Sequence, residues 1–384
     1  MKKKIIIVGF FAVLCVLPMV LPGWSESRQN SVARSGGSAS TGTAKTVETA
    51  KAASTRKTSP GANDFSADTL ILTVDSDPVR WPEFLFWLKY IQKYYVRYHN
   101  LDKITDWSAK QNGMSLKEFF LSTAVGYAAK DRAIEAKAKE LGIGLTADDL
   151  AEIQNQRESN LRIYGSRSEY LIIVNRMYVS EQVFDYLTKI DYVSKHLFKQ
   201  LYGANGEKCT DEDISAFVKK KGFMCAKYIF LSNTDSRGEK LSAEKLAENQ
   251  KLLQSILTQL DTSKATLTLF DTLITKHSNE KALLNFPDGR LIESGGIGAE
   301  FENAYWKLEE KKYSGIVETD NGCYIILRLP IFPDMTADSA GNTLRYVTAY
   351  EHLFKSQVEA WSAKMNVKYE DAYYSINVEG VLDY

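Results

Sequence analysis

Apolar and polar positions along the chain fall into three regimes. An unbroken apolar run extends from Ile5 to Val20 behind Lys2, Lys3 and Lys4, and from Glu26 to about Asn63 large apolar residues almost vanish in favour of Ser, Thr, Ala, Gly and Lys. The second stretch cannot bury enough surface to offset its ordering entropy, so it is expected to be a flexible linker. From Thr69 onward the pattern becomes periodic. Thr69 to Val74 reads as a strand and Asp75-Ser76-Asp77 as a turn. Pro82 then suits a first helical turn, and Phe84, Trp87, Ile91, Tyr94, Tyr95 and Tyr98 recur at helical spacing. That stripe reads first as core, and second as an exposed apolar surface for a partner.

Further amphipathic helices are predicted over 115–141, 146–164, 168–202 and 210–220, with Thr146 and Thr210 as caps. Near Gly222 the period changes. Residues 223–231 read as a strand, 242–260 and 267–277 as helices, and 323–329 as an apolar strand. After Pro330 and Pro333 a helix is expected over 340–365, with Leu344, Val347, Tyr350, Phe354, Val358 and Trp361 on one face. Such a face needs a partner, and the amino-terminal helices offer one. The strand-containing stretch therefore reads as an insertion into a helical domain built from both chain ends. The expected division is 1–25 signal or anchor, 26–65 linker, 66–222 helical domain, 223–331 inserted domain and 332–384 carboxy-terminal helix and tail.

Composition narrows the function classes. Over 384 residues, 44% are hydrophobic and 25% charged, which is ordinary for folded domains. Forty-eight basic residues balance forty-eight acidic ones, so the footprint of a nucleic-acid binder is missing and no nucleic-acid partner is expected. The amino-terminal run has the form of an export signal, cleaved after the Gly23-Trp24-Ser25 region or retained as an anchor. The lysines before it place the rest outside the cytoplasm, in contact with the membrane through this segment. Cys15 lacks a small residue immediately before it, which disfavours a lipid anchor. Cys209, Cys225 and Cys323 form no even disulfide set, and with His99, His196, His277 and His352 they show no zinc-site spacing; no metal is expected. Gly295-Gly296-Ile297-Gly298 lacks the lysine and hydroxyl pair of a phosphate loop and reads as a turn before a helix.

Residues 223–331 resemble the parvulin or PpiC-type rotamase family across the whole unit. Ala226-Lys227-Tyr228-Ile229-Phe230-Leu231 looks like the family's first strand, and Phe270 to Ser278 like its F-x-x-L-A-x-x-x-S turn. Residues 286–291 and 298–304 resemble its glycine-rich loop and P-x-F-x-x-A helix, and Val317 to Ile326 its closing T-x-x-G-Y-H-I-I strand. The segment from Thr69 to Leu88 is similar to the start of PrsA- and SurA-like foldases. The resemblance implies an α+β chain: a SurA/PrsA-like helical chaperone domain with an inserted small antiparallel sheet flanked by helices. It implies peptidyl-prolyl cis-trans isomerisation without a cofactor, on unfolded or exported polypeptides with X-Pro bonds, and leaves a homodimer open.

By the same resemblance, Phe301 and Ile297 match the apolar slot for proline, Asn321 replaces an aromatic at its rim, and Thr319 keeps the family's threonine. Glu280 falls where the family has cysteine or aspartate, and Tyr228 and Tyr324 stand where it has two histidines. The two phenols could exchange a hydrogen bond and present a hydroxyl to the substrate amide, or form a structural pair in a domain that only binds. The readings left open are a foldase with isomerase activity, a holdase chaperone whose parvulin domain is a scaffold, and a surface adaptor with one dedicated partner.

Overall fold

The structure, a computed structural model, describes residues 65–382 apart from 264 and 265. The expected signal and almost all of the expected linker lie outside the described residues. Within these, no helix is long and apolar enough to cross a membrane. The fold is α+β and divides into two compact units, residues 65–197 with 357–382, and residues 198–356.

The first unit opens with an antiparallel hairpin, β1 (Leu70–Val74) and β2 (Asp77–Arg80). Its turn holds Asp75 and Ser76 at φ 46° and 77°, a region that short polar side chains tolerate. α1 (Trp81–Tyr98) starts at once with Pro82 in its first turn. The aromatic stripe is mostly core: Phe84, Trp87, Ile91 and Tyr95 are buried, whereas Tyr94 and Tyr98 are exposed. A two-residue-stranded hairpin, β3 (Lys110–Gln111) and β4 (Met114–Ser115), leads into α2 (Leu116–Glu140), where Ser115 and Glu118 cap each other reciprocally. α3 (Ala147–Tyr164) uses Thr146 and Asp149 in the same way. The single helix expected over 168–202 is two, α4 (Arg167–Tyr178) and α5 (Glu181–Tyr202). Val179 takes φ 70° and ends α4, and the Ser180 hydroxyl accepts the Val183 amide at 3.2 Å to start α5.

In the second unit, α6 (Asp211–Lys221) is capped by Thr210 and stopped by Gly222. The elements that follow are β5 (Met224–Ser232), α7 (Ala243–Thr262), α8 (Thr266–His277), a 3₁₀ turn at Lys281–Asn285, β6 (Arg290–Ile292), α9 (Ala299–Trp306), β7 (Val317–Thr319) and β8 (Gly322–Arg328). The four strands form one antiparallel sheet in the order β6-β5-β8-β7. Strand alternation gives β5 two different faces. On one, the Lys227 ammonium bonds the Asp271 carboxylate of α8 at 2.6 and 2.9 Å. On the other, Met224, Ala226 and Tyr228 join Phe301 and Tyr305 of α9 in one apolar cluster.

The helix expected over 340–365 is observed as α10 (Leu344–Val347), a π-helical stretch at Thr348–Phe354 and α11 (Lys355–Ser362). Within the second unit, Tyr346, Tyr350 and Phe354 set their rings against Phe198, with centroids 5.3 to 5.6 Å away. Gly206 lets two backbones approach here, since a Cβ at that position would lie 3.0 Å from the Arg345 carbonyl. In the first unit, β9 (Val367–Tyr369) pairs antiparallel with β1, placing Leu72 opposite Tyr369. α12 (Asp371–Tyr374) and α13 (Val378–Leu382) complete that unit, and Gln92 of α1 donates to the Leu382 carbonyl at 2.8 Å. The amino-terminal hairpin thus acquires a third strand from the far end of the chain, which the periodicity of the tail did not announce.

Candidate functional site

Register brings the site together. Across β5 and β8, Tyr228 faces Ile326 and Phe230 faces Tyr324; across β5 and β6, Ala226 faces Arg290. With a side-chain period of two, Tyr228, Tyr324 and Arg290 therefore lie on one face of the sheet, the face that α9 covers. Gly298, at φ 117°, opens α9 and delivers Phe301 onto that face. The three aromatic rings meet edge to face: Tyr228 to Phe301 at 5.4 Å, Tyr324 to Phe301 at 5.3 Å and Tyr228 to Tyr324 at 5.5 Å between centroids. Ile297 packs against the cluster from the loop before α9, and Phe230 stacks on Tyr324 at 4.6 Å.

The cluster is packed shut. Phe301 exposes 0% of its surface, Tyr228 1% and Tyr324 6%, so all three rings are enclosed. The partly buried Ile297 and Phe230 form the accessible rim.

A polar group borders the rings. The Tyr228 hydroxyl donates to Glu280 Oε2 at 2.9 Å, and Arg290 Nη1 donates to Glu280 Oε1 at 2.7 Å and to the Tyr228 oxygen at 3.5 Å. Glu280 is held at the entry of the 3₁₀ turn, where its amide donates to the Ser278 hydroxyl at 3.2 Å. Gly289, at φ 97°, admits the close approach of Cys225 that sets Arg290 at the start of β6; a Cβ there would lie 2.8 Å from Cys225 Sγ. Burial first, and the Glu280 carboxylate second, push the Tyr228 phenol far above its ordinary range. The same two causes push Tyr324 up to about 12. Both phenols therefore stay protonated at neutral pH, and both remain able to donate.

The other two expected residues bond within the β7–β8 turn, Thr319 from a β7 position on the same sheet face as Tyr324. Thr319 donates its hydroxyl to the Gly322 carbonyl at 2.8 Å and accepts the Asn321 amide at 3.3 Å, so it fastens the turn between β7 and β8. Asn321 is exposed on that turn, and its carbonyl accepts the Asn233 amide at 2.9 Å. Among the described residues, neither side chain hydrogen-bonds to a ring of the cluster. Sequence reasoning missed Arg290 and Phe230. Arg290 is a lone cation opening a short apolar strand directly behind a glycine, and that pattern was its available signal.

Residues 229–329 match the family model of the PPIC-type PPIASE domain, or rotamase. The chain therefore carries a parvulin-type rotamase domain. Among solved structures it is similar to the peptidylprolyl isomerase PrsA of Bacillus anthracis, with 19% identity, 63% of this chain and 96% of that chain covered, and a TM-score of 0.27. It is similar to the foldase protein PrsA of Streptococcus pneumoniae, with 12% identity, 72% and 100% covered, and a TM-score of 0.29. A SurA-like chaperone of Campylobacter jejuni gives 12% identity, 79% and 100% covered, and a TM-score of 0.22. No curated protein matches the chain.

Proposed function

We propose that this chain is an extracytoplasmic foldase that binds unfolded, exported polypeptides through its helical unit and acts on their X-Pro bonds at the Tyr228–Tyr324–Phe301 cluster. The observation that carries the proposal is the convergence of Tyr228, Glu280, Tyr324 and Phe301 on one sheet face, all but Tyr228 within the 229–329 rotamase match that Tyr228 adjoins. Rotation about an X-Pro bond is slow because the amide has partial double-bond character, and no covalent step or cofactor is needed. A catalyst supplies an apolar seat for the ring and polar groups that favour the twisted amide over the planar one. Ile297, Phe230 and the enclosed Phe301 supply the seat, and a phenol hydroxyl supplies the polar group. The amino-terminal run with the form of an export signal supports action outside the cytoplasm. The β1–β9 pairing between chain ends supports a helical client-binding domain into which 223–331 is inserted.

A second reading is favoured by one observation: the slot aromatic has no exposed surface. In that reading the domain is a scaffold and the chain a holdase. Refolding of a proline-limited client separates them. The full protein accelerates the slow phase if it is a foldase, and suppresses aggregation without acceleration if it is a holdase.

A further inference from the structure

The two tyrosines of the cluster are not equivalent in their hydrogen bonding. The Tyr228 proton is given to Glu280, and Glu280 is held in place by Arg290, whose ion pair spans 2.7 Å with about a third of each side chain exposed. Each carboxylate oxygen thus has its own partner: Oε1 takes the guanidinium and Oε2 takes the phenol. Among the described residues the Tyr324 hydroxyl has no hydrogen-bond partner, while its ring packs on Phe301, Tyr228 and Phe230. We propose that Arg290 is a positioning residue that fixes Glu280 so that Tyr228 is committed as a donor within the site, leaving Tyr324 as the hydroxyl that donates to the substrate amide.

The proposal rests on the isomerase reading given above and adds a division of labour to it. Without Arg290, Glu280 loses the partner that orients its second oxygen, and the carboxylate is free to turn toward solvent. Tyr228 then regains a free proton, and the two phenols compete for the same acceptor on the substrate. The rings themselves are untouched, because Arg290 takes no part in the apolar cluster. A misplaced polar group of this kind costs rate more than affinity.

The test uses the full chain as wild type, Arg290→Gln, Arg290→Lys, Glu280→Gln and the Arg290→Gln/Glu280→Gln double variant. NMR follows the hydroxyl proton of Tyr228, which exchanges slowly when it is bonded inside a buried cluster. Its protection is expected in wild type and Arg290→Lys, and its loss in Arg290→Gln. In the proline-limited refolding assay, Arg290→Gln is expected to slow the catalysed phase about tenfold with little change in KM. Arg290→Lys should recover most of that loss, and the double variant should fall no further than the worse single one, as for residues acting through one another. Retained Tyr228 protection in Arg290→Gln, or additive losses in the double variant, would overturn the positioning role. A wild type with no isomerase activity whose Tyr228 protection still depends on Arg290 would remove the isomerase reading while leaving the positioning role in place.

Discussion

Among the described residues are two arginine–glutamate–tyrosine groups, one in each unit, set in different surroundings. In the first unit Arg132 bonds Glu83 at 2.9 Å, the Pro78 carbonyl at 3.0 Å and the Tyr186 hydroxyl, and Tyr186 in turn donates to Glu135 at 3.2 Å. The arginine and glutamate side chains there are 6% and 12% exposed. In the second unit Arg290 and Glu280 are 32% and 30% exposed, and only Tyr228 is fully buried. A buried ion pair gives up the solvation of both partners, so its loss leaves a charge with no water to take over. A half-exposed pair is easily remade by solvent. The first group is therefore a structural joint tying β2, α1, α2 and α5, and the second is a part-exposed polar edge beside the Tyr228–Tyr324–Phe301 cluster.

Removing the cation from each group should break that comparison most sharply. Arg132→Gln leaves Glu83, Asp131 and Glu135 facing one another without a guanidinium, and is expected to cost about 3 to 5 kcal/mol in urea unfolding of the first unit. Arg290→Gln should cost well under half of that; equal losses would show that burial does not separate the two groups. Phe301→Ala comes next, at about 3 kcal/mol in the second unit, because it empties a fully buried ring site. The same substitution should abolish any acceleration of proline-limited refolding, and retained acceleration would remove Phe301 from the seat.

The third test is of pH. Asp131 is buried with one carboxylate oxygen lacking a partner, and burial first, then Glu83, push its carboxyl well above the usual range. The folded state thus holds that proton more tightly than the unfolded chain. The stabilisation is complete below the ordinary carboxylate value of about 3.9 and is lost as pH rises through the raised folded value. Asp131→Asn should therefore flatten the fall in stability above about pH 4 and add about 1 kcal/mol at neutral pH. An unchanged slope would mean that another group, such as Glu83, carries it. The smallest effect is expected for Glu280→Gln, at about 1 kcal/mol or less in unfolding, since its pair is part-exposed.

Much of this was readable in the chain. Capping residues Thr146 and Thr210 marked helix starts because their side chains satisfy orphan amides. The strand readings over 223–231 and 323–329 contain Tyr228 and Tyr324, and the family resemblance picked out both tyrosines together with Phe301 and Glu280. What stayed hidden depended on contacts between distant segments. The α4–α5 break rests on one residue, Val179, adopting a conformation that β-branched side chains avoid. The β9 pairing joins positions almost 300 residues apart, and three residues of strand have no period to detect. Arg290 looked like a loop cation until the β5–β6 register put it beside Tyr228. Thr319 and Asn321 were chosen by resemblance alone, and their hydrogen bonds belong to a turn.

The central claim is that the aromatic cluster seats a proline ring and speeds rotation of the bond before it. Exchange NMR on a short proline-containing peptide with the full protein tests it most directly. The account predicts cis–trans exchange cross-peaks that grow with added protein, stay level from about pH 6 to 9 because both phenols keep their protons there, and accompany shifts of the Phe301 and Tyr324 ring resonances. Exchange that does not rise above the uncatalysed rate, with those ring resonances unmoved, would contradict it.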